Sequence, residues 1–225
     1  IPASVKEIGN SSFYGAKVTS VKFASGSNCT GIGGSAFSSC SGLTAVTLPA
    51  KLTSIGDWAF EDCTKLKSIT IPAGVTKIGE YAFAGCSSLT TITMSANSKL
   101  TEIPDYFAQN CGKLTAFTVT ASIKKIGTEA FSRCRSLASV TFSANSKCSD
   151  IGDYAFAGCS ALKSIKLPAS VTKLESGVFM SCIKLTEIDI EADSIDLPYC
   201  DTFATNAYTF PMILFLSVSS FLFLQ

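Results

Sequence analysis

The chain has 225 residues, and its 18 lysines and arginines nearly balance its 17 aspartates and glutamates. This balance leaves no basic surface of the kind that binds nucleic acid, so we expect no nucleic-acid partner. The chain has no histidine, and it therefore lacks the most common metal ligand and general base. Because the acidic residues are also scattered, we expect no enzyme and no cofactor, and we identify no catalytic, cofactor-binding or metal-binding residues.

A unit of 23 to 25 residues recurs along most of the chain. Repeats of this length are typical of a solenoid, in which each unit packs only against its neighbours. Residues 1–7 match the end of a unit, so we expect the chain to begin inside a partial repeat, as a fragment would. Eight units fill residues 8–190, and they start at Ile8, Ile32, Ile55, Ile78, Ile103, Ile126, Ile151 and Leu174.

Each unit predicts a short helix, then a strand, then a turn. In the third unit the helix is expected over residues 57–63, where Asp57 can cap its first turn. Ile69 and Ile71 are two residues apart, so both side chains should face the same side of a strand. Some units are longer by one or two residues after the strand, which marks that place as a loop. The pattern predicts an α/β repeat solenoid.

Two columns of residues are predicted to fill the space between the coils. A phenylalanine recurs in nearly every unit, and a stack of such rings would bury the largest apolar area. Seven cysteines recur at an apolar position, where we favour free buried thiols over disulfides between neighbouring coils. No C-x-x-C pair suggests a zinc site. The columns comprise Phe13, Phe37, Phe60, Phe83, Phe107, Phe131, Phe156 and Phe179, and Cys40, Cys63, Cys86, Cys111, Cys134, Cys159 and Cys182.

The pattern I-G-x-x-A-F-x-x-C-x-x-L-x-x-[IV]-x-[IL]-P, seen from Ile55 to Pro72, resembles the BspA-type leucine-rich repeats over residues 1–190. The resemblance implies a right-handed leucine-rich-repeat solenoid with a parallel sheet on one face and short helices on the other. Members of this family are typically surface or secreted proteins. The resemblance therefore implies a cell-surface or extracellular location and a role in adhesion or protein binding, and it implies no catalytic residues.

The outward side of the predicted strands is rich in hydroxyl groups, with charges only at its ends. We expect this concave Thr/Ser-rich sheet to bind a protein or glycan on another cell or in the matrix. Three alternatives remain open: the threonines simply suit an exposed strand, the solenoid is a structural spacer that presents another domain without a dedicated ligand, or the flat threonine rows bind ice. The candidate ligand-binding residues are Lys22, Thr47, Thr70, Thr93, Thr118, Thr141, Lys166 and Asp189.

A second stripe lies one residue before the Ala-Phe pair and consists of Trp58, Tyr81, Tyr106 and Tyr154. These rings are expected to lie off the buried face and to be half-exposed. They either cover the ends of neighbouring turns or form an aromatic contact patch, because tyrosine and tryptophan favour interfaces.

The C-terminal part departs from the repeat. Residues 191–206 are expected to form a degenerate ninth repeat or a cap. Residues 207–225 are mostly apolar and uncharged, and we favour membrane attachment through this segment, as a membrane-spanning helix or an anchor signal. The alternative is a last strand of the solenoid, with Met212 and Leu214 at inward positions.

Overall fold

The computed structural model describes residues 1–196 and the backbone of residues 213–216. Each of the eight repeat units contributes a long strand to one face and a two-residue strand to another, and residues 213–216 add a ninth long strand. The long strands are β2 (Ser20–Lys22), β4 (Ala45–Thr47), β6 (Ser68–Ile71), β8 (Thr91–Met94), β10 (Ala116–Val119), β12 (Ser139–Phe142), β14 (Ser164–Leu167), β16 (Glu187–Ile190) and β17 (Ile213–Leu216). The short strands are β1 (Glu7–Ile8), β3 (Gly31–Ile32), β5 (Ser54–Ile55), β7 (Lys77–Ile78), β9 (Glu102–Ile103), β11 (Lys125–Ile126), β13 (Asp150–Ile151) and β15 (Lys173–Leu174).

All strand pairing is parallel and joins equivalent residues of neighbouring coils. For example, Ile69 pairs with Ile92 and Thr70 with Thr93. The long strands form the sheets β2-β4, β6-β8-β10-β12 and β14-β16-β17, and the short strands form β1-β3-β5-β7 and β9-β11-β13-β15. Because strand residues alternate between two sides, Ile69 is buried whereas Thr70 is exposed. The predicted parallel-sheet solenoid is confirmed.

The predicted short helices are wrong, because residues 1–196 contain no helix and residues 57–63 form successive turns. Trp58 and Asp62 have φ angles of 55° and 53°, in the left-handed region, whereas a helix needs about −63°. The Ala59 amide donates to the Gly56 carbonyl of its own coil at 3.3 Å. The Trp58 amide donates instead to the Glu80 carbonyl of the next coil at 2.8 Å. We call this segment, residues 56–67 and its equivalents in other coils, the turn wall.

Close stacking of the turn wall explains two positions of the repeat. The Asp57 carboxylate does not cap a helix but accepts a hydrogen bond at 3.0 Å from the amide of Glu80, one coil away. A Cβ atom on Gly152 would lie 2.8 Å from the carbonyl carbon of Gly127 and from the amide nitrogen of Thr128. Glycine therefore recurs after the first isoleucine of a unit because the backbone of the previous coil occupies the place of a side chain.

The predicted phenylalanine column forms the centre of the core. The rings from Phe37 to Phe179 are fully buried, and Phe13 packs against them from the first coil. Phe37 and Phe60 stack with their ring centroids 5.2 Å apart, and Phe131 and Phe156 stack at 5.5 Å. These residues provide the buried apolar area that holds one coil to the next.

One coil departs from this column and compensates locally. Phe107 precedes Ala108, so the small residue stands where other coils have the ring. Phe107 then meets Phe83 edge-on, with an interplanar angle of 82°. Phe117 of β10, at a position where neighbouring strands have isoleucine or valine, packs 4.6 Å from Phe131. Phe117 therefore fills volume that Ala108 leaves.

The predicted free thiols are also confirmed for the nine cysteines in residues 1–196, which are all buried and unpaired, whereas Cys200 lies outside the described residues. Each thiol of the seven-residue column donates to a backbone carbonyl of the preceding coil. The Cys63 thiol reaches the Phe37 carbonyl at 3.2 Å, and the Cys86 thiol reaches the Phe60 carbonyl at 3.1 Å. The column is thus both apolar filling and a set of hydrogen bonds between coils.

The described part of the apolar C-terminal segment is a strand. In β17, Leu214 and Leu216 pair with the buried Ile188 and Ile190 of β16. Met212 and the rest of residues 207–225 outside 213–216 lie outside the described residues, as do residues 197–206. The part of the chain that the structure describes contains no helix with the length and apolarity needed to cross a membrane.

Candidate ligand-binding face

The outward residues of the long strands form what we call the long-strand face. The predicted ligand-binding residues occupy one column of this face, and all of them are exposed except Asp189, which is half-buried. Backbone pairing aligns them two by two across neighbouring coils: Lys22 with Thr47, Thr70 with Thr93, Thr118 with Thr141, and Lys166 with Asp189. The structure therefore places these residues side by side in pairs, and the role predicted for the column stays a prediction.

Two of these residues neutralise each other. The Lys166 ammonium lies 3.3 Å from the Asp189 carboxylate and 2.8 Å from the Glu191 carboxylate. Hydrogen bonds to Glu191 and then to Asp189 raise the pKa of Lys166, so its charge is held in an ion-pair network. Sequence reasoning missed Glu191, because it follows the strand and becomes a neighbour of Lys166 only when the coils stack.

Two grooves open on the long-strand face where neighbouring strands separate. Groove A, about 300 Å³, lies between β8 and β10, which pair only at Thr91 and Ala116, and it includes Thr93 and Thr118 in its lining. Groove B, about 460 Å³, lies between β12 and β14, which belong to different sheets. These volumes lie in or near the range of small-ligand sites.

The two grooves adjoin identical insertions. The units that start at Ile78 and Ile126 both have 25 residues, and in each the strand is followed by Ser-Ala-Asn-Ser-Lys, at residues 95–99 and 143–147. We call these segments the insertion turns. Ala96 of the first turn lines groove A, and four residues of the second line groove B. The ladder is also interrupted between β4 and β6, without an insertion there.

Hydroxyl groups on this face are not all free. The Thr118 and Thr141 side-chain oxygens lie 3.2 Å apart, within hydrogen-bond distance. In groove A the Thr120 and Ser122 hydroxyls are 3.3 Å apart. In groove B, by contrast, the Ser170 hydroxyl is buried and has no hydrogen-bond partner in the described part of the chain.

The aromatic stripe lies on the turn wall, away from the long-strand face. Trp58, Tyr81 and Tyr106 form a continuous stack, with ring centroids 5.8 and 4.2 Å apart. Glu129 takes the next place, and Tyr154 follows it, with 37% of its surface exposed. All four rings stand at positive φ, from 54° to 57°. The stacked rings cover the turns of neighbouring coils. Trp58 and Tyr154 remain partly exposed, so an aromatic contact patch stays a prediction.

In the part of the chain that the structure describes, burial keeps the thiols of the cysteine column protonated. Burial raises the pKa of the Cys111, Cys134 and Cys159 thiols well above the ordinary value, which keeps them protonated and unreactive. Within residues 1–196, no three acidic or cysteine side chains are grouped so that they could hold a metal ion.

Comparison with known families agrees with this geometry. The description "BspA type Leucine rich repeat region (6 copies)" matches residues 6–138 and 124–209. The chain is a member of the BspA-type leucine-rich repeat family. The match extends beyond residue 190, into the part of the chain that we expected to be a degenerate ninth repeat. A comparison with curated proteins finds no match.

Solved structures of bacterial leucine-rich repeat proteins are similar to this BspA-type chain. One from Bacteroides ovatus is 31% identical, covers 85% of this chain and 54% of its own, and has a TM-score of 0.69. The T. pallidum leucine-rich repeat protein is 26% identical over 70% of this chain and 72% of its own, with a TM-score of 0.60. The pneumococcal vaccine antigen PcpA is 30% identical over 78% of this chain and 44% of its own, with a TM-score of 0.58. This BspA-type chain thus spans about half the length of the Bacteroides protein.

Proposed function

We propose that this chain is a non-catalytic recognition module at the cell surface or outside the cell, which adheres to a protein or glycan through the long-strand face. Family membership supports this role, since leucine-rich repeat solenoids offer a broad binding surface. One structurally similar protein is a vaccine antigen, and an antigen that a vaccine can target must be reachable by antibodies. That likeness supports a surface location.

One observation supports the long-strand face as the binding surface. The exposed column from Lys22 to Asp189 continues across the coils and borders both grooves. No large hydrophobic residue is strongly exposed on this face within residues 1–196, because those that are exposed lie on the turn wall. A column of hydroxyl and charged groups beside grooves that include apolar side chains suits a protein or glycan partner of another cell or of the matrix.

The described part of the C-terminal segment, β17, pairs with β16 of the solenoid. A membrane-spanning helix through residues 207–225 would require β17 to leave β16, which would expose the edge of the last described sheet. We therefore propose that β17 belongs to the solenoid as a further strand and not to a membrane-spanning helix. The full chain should then remain in the aqueous phase when detergent is separated from water, and its transfer to the detergent phase would favour membrane attachment.

The test of the binding face uses the full chain on an array of glycans and matrix proteins. We expect the double variant Thr93→Arg, Thr118→Arg to lose at least tenfold in affinity for whichever partner binds, because two long side chains would cover groove A. The control is Thr101→Arg, which adds one arginine at an exposed threonine outside the long-strand face. Circular dichroism should show all these proteins folded.

The spacer alternative predicts a different result. A spacer would bind no partner on the array, or would bind one with equal affinity in the double variant and in the control. Either result would contradict the proposed function. Charge reversal at Lys22 is a cleaner second test than reversal at Lys166, because Lys166 is held by Asp189 and Glu191.

A further inference from the structure

We infer that the exposed side of the short strands, which we call the short-strand face, binds a second copy of this chain. The two solenoids pair face to face, with their coils running in opposite directions. This inference goes beyond the proposed function, because it concerns a different face and a different partner. It rests on a row of charges that is complementary to itself only when one copy is reversed.

The charges follow one another along the short-strand face with alternating sign. Parallel pairing places Lys125 between Glu102 and Asp150. Asp150 pairs in turn with Lys173, and an isolated bridge joins Lys173 to Asp196. Neighbouring members are therefore about 4.8 Å apart, the spacing of paired strands. We call this set the charge row, and it comprises Lys77, Glu102, Lys125, Asp150, Lys173 and Asp196.

The charge row is accessible to a partner. Asp150 and Lys173 are half-buried, and the other four residues of the row are exposed. Lys173 forms an ion pair with Glu175. Within residues 1–196, Glu102, Lys125 and Asp150 form no ion pair. The central charges can therefore pair with those of another molecule without breaking an ion pair inside the chain.

Two-fold symmetry makes the row complementary to itself. In a symmetric dimer the same surface of both copies forms the contact, so a row that meets its reversed copy is read backwards. Lys125 then lies opposite Asp150 of the second copy, and Glu102 lies opposite Lys173 of the second copy. The ends match as well, because Lys77 lies opposite Asp196. All six positions of the row meet the opposite charge.

Other arrangements of the same two faces bring like charges together. If both rows run in the same direction, each residue faces its own copy. If the reversed row slips by one coil, Asp150 faces itself and Lys125 faces Lys173. Like charges placed opposite each other across an interface are strongly unfavourable. The row therefore selects one direction and excludes a slip by one coil.

The charged residues beside the row are compatible with this arrangement. They lie one residue before the row, or two or three residues after it. In the four central coils, each of them faces an uncharged residue of the second copy. The facing pairs are Lys124 with Ser149, Asp105 with Ser176, Thr128 with Asp153, and Pro104 with Glu175.

The spacing of the row favours a second copy over a charged peptide. In an extended peptide, side chains on one side repeat every two residues, or about 6.7 Å. The charge row repeats at about 4.8 Å, so a peptide strand lying along it would fall out of register after two or three charges. A second solenoid has the same spacing, because its coils stack in the same way.

The experiment measures self-association of the full chain by sedimentation velocity, at concentrations up to about 0.1 mM, which detects dissociation constants to that level. We expect a dimer at about 0.05 M salt that dissociates at about 0.5 M salt, because salt screens exposed charges. Lys125→Glu and Asp150→Lys should each weaken the dimer by about tenfold or more, since symmetry repeats each substitution at two contacts.

Mixing the two variants gives the sharpest result. In the mixed dimer the new glutamate of one chain faces the new lysine of the other, and the second central contact is the native pair of Asp150 and Lys125. An equimolar mixture should therefore dimerise within about threefold of the wild type. Repulsion within one chain cannot explain such a recovery, because mixing leaves each chain unchanged.

The matched control is Lys163→Glu, which makes the same change of charge at an exposed lysine of the turn wall and should dimerise like the wild type. Circular dichroism checks that each variant is folded; if a reversal unfolds the chain, Lys125→Gln and Asp150→Asn should each still weaken the dimer. A wild type that stays monomeric at low salt, a Lys125→Glu variant that dimerises fully, or a mixture that stays monomeric would overturn the inference. None of these results bears on the proposed function, which the array tests through the long-strand face.

Discussion

Alkaline pH should destabilise this solenoid through its buried thiols. Burial raises the pKa of the Cys111, Cys134 and Cys159 thiols well above the ordinary value. Burial likewise raises the pKa of Cys182 to about 12. In the unfolded chain the same thiols ionise near about pH 8.5. Since the folded-state pKa lies above the unfolded one, this contribution to stability is complete below about pH 8.5 and is lost as the pH rises towards the folded-state pKa.

The size of the effect follows from proton linkage. Above about pH 8.5 each of these four thiols lowers the free energy of unfolding by about 1.4 kcal/mol per pH unit. Together they remove roughly 5 kcal/mol per pH unit, whereas the whole stability of a domain is about 5–15 kcal/mol. We therefore expect the solenoid to unfold within a few pH units above the ordinary thiol pKa.

The assay compares the chain with Cys111→Ala by denaturant unfolding, followed by circular dichroism in reductant from pH 7 to 10. At neutral pH the variant should be less stable by about 1 kcal/mol, because the Cys111 thiol donates to the Phe83 carbonyl at 3.2 Å. Between pH 8 and 10 the wild type should lose about 2 kcal/mol more than the variant. Tyrosines and lysines ionise alike in both proteins, so parallel pH curves would refute the reasoning.

Three further predictions concern the packing of the coils. Phe83→Ala should lower the free energy of unfolding by about 3–5 kcal/mol in denaturant titrations, because the ring is fully buried between two others; a loss below about 1 kcal/mol would contradict its place in the core. Gly152→Ala should lower the unfolding temperature markedly because its Cβ would lie 2.8 Å from backbone atoms of the previous coil, whereas Gly112→Ala, with no atom within 4 Å, should be nearly neutral. Ala108→Phe should lower the free energy of unfolding by about 1–3 kcal/mol, because the added ring overpacks the core. Phe117→Ile should restore part of that stability. Strictly additive effects of the two substitutions in a double-mutant cycle would show that Phe117 does not compensate for Ala108.

Much of the architecture could be predicted from sequence because the repeat constrains it. A recurrence every 23 to 25 residues can bury its apolar columns only if the units stack in register. The strands follow from alternation, since Ile69 and Ile71 must share one side. The free thiols follow from their column, because a residue type that recurs at an apolar position in every coil is part of the core. The exposed threonine column follows from the same alternation.

The turn wall could not be predicted in this way. Phe60, Cys63 and Leu66 recur every three residues, and that spacing suits a helical face and a run of three-residue turns equally well. In the structure, the Cys63 amide donates to the Phe60 carbonyl at 3.3 Å and the Leu66 amide to the Cys63 carbonyl at 2.9 Å. The amides of Trp58, Phe60 and Asp62 donate instead to carbonyls of the next coil, those of Glu80, Ala82 and Ala84. A helix is excluded only by these partners, which the local sequence does not contain.

Some features of the candidate site likewise follow from the sequence of one unit, and others depend on how the coils stack. The sequence by itself determined which side chains stand outward on each long strand, because that depends on strand alternation within one unit. Only the tertiary structure decided that β12 and β14 separate beside an insertion turn, that Glu191 joins Lys166, and that Ser170 is buried without a partner. Each of these depends on the distance between atoms of different coils, and that distance is set by how the coils stack.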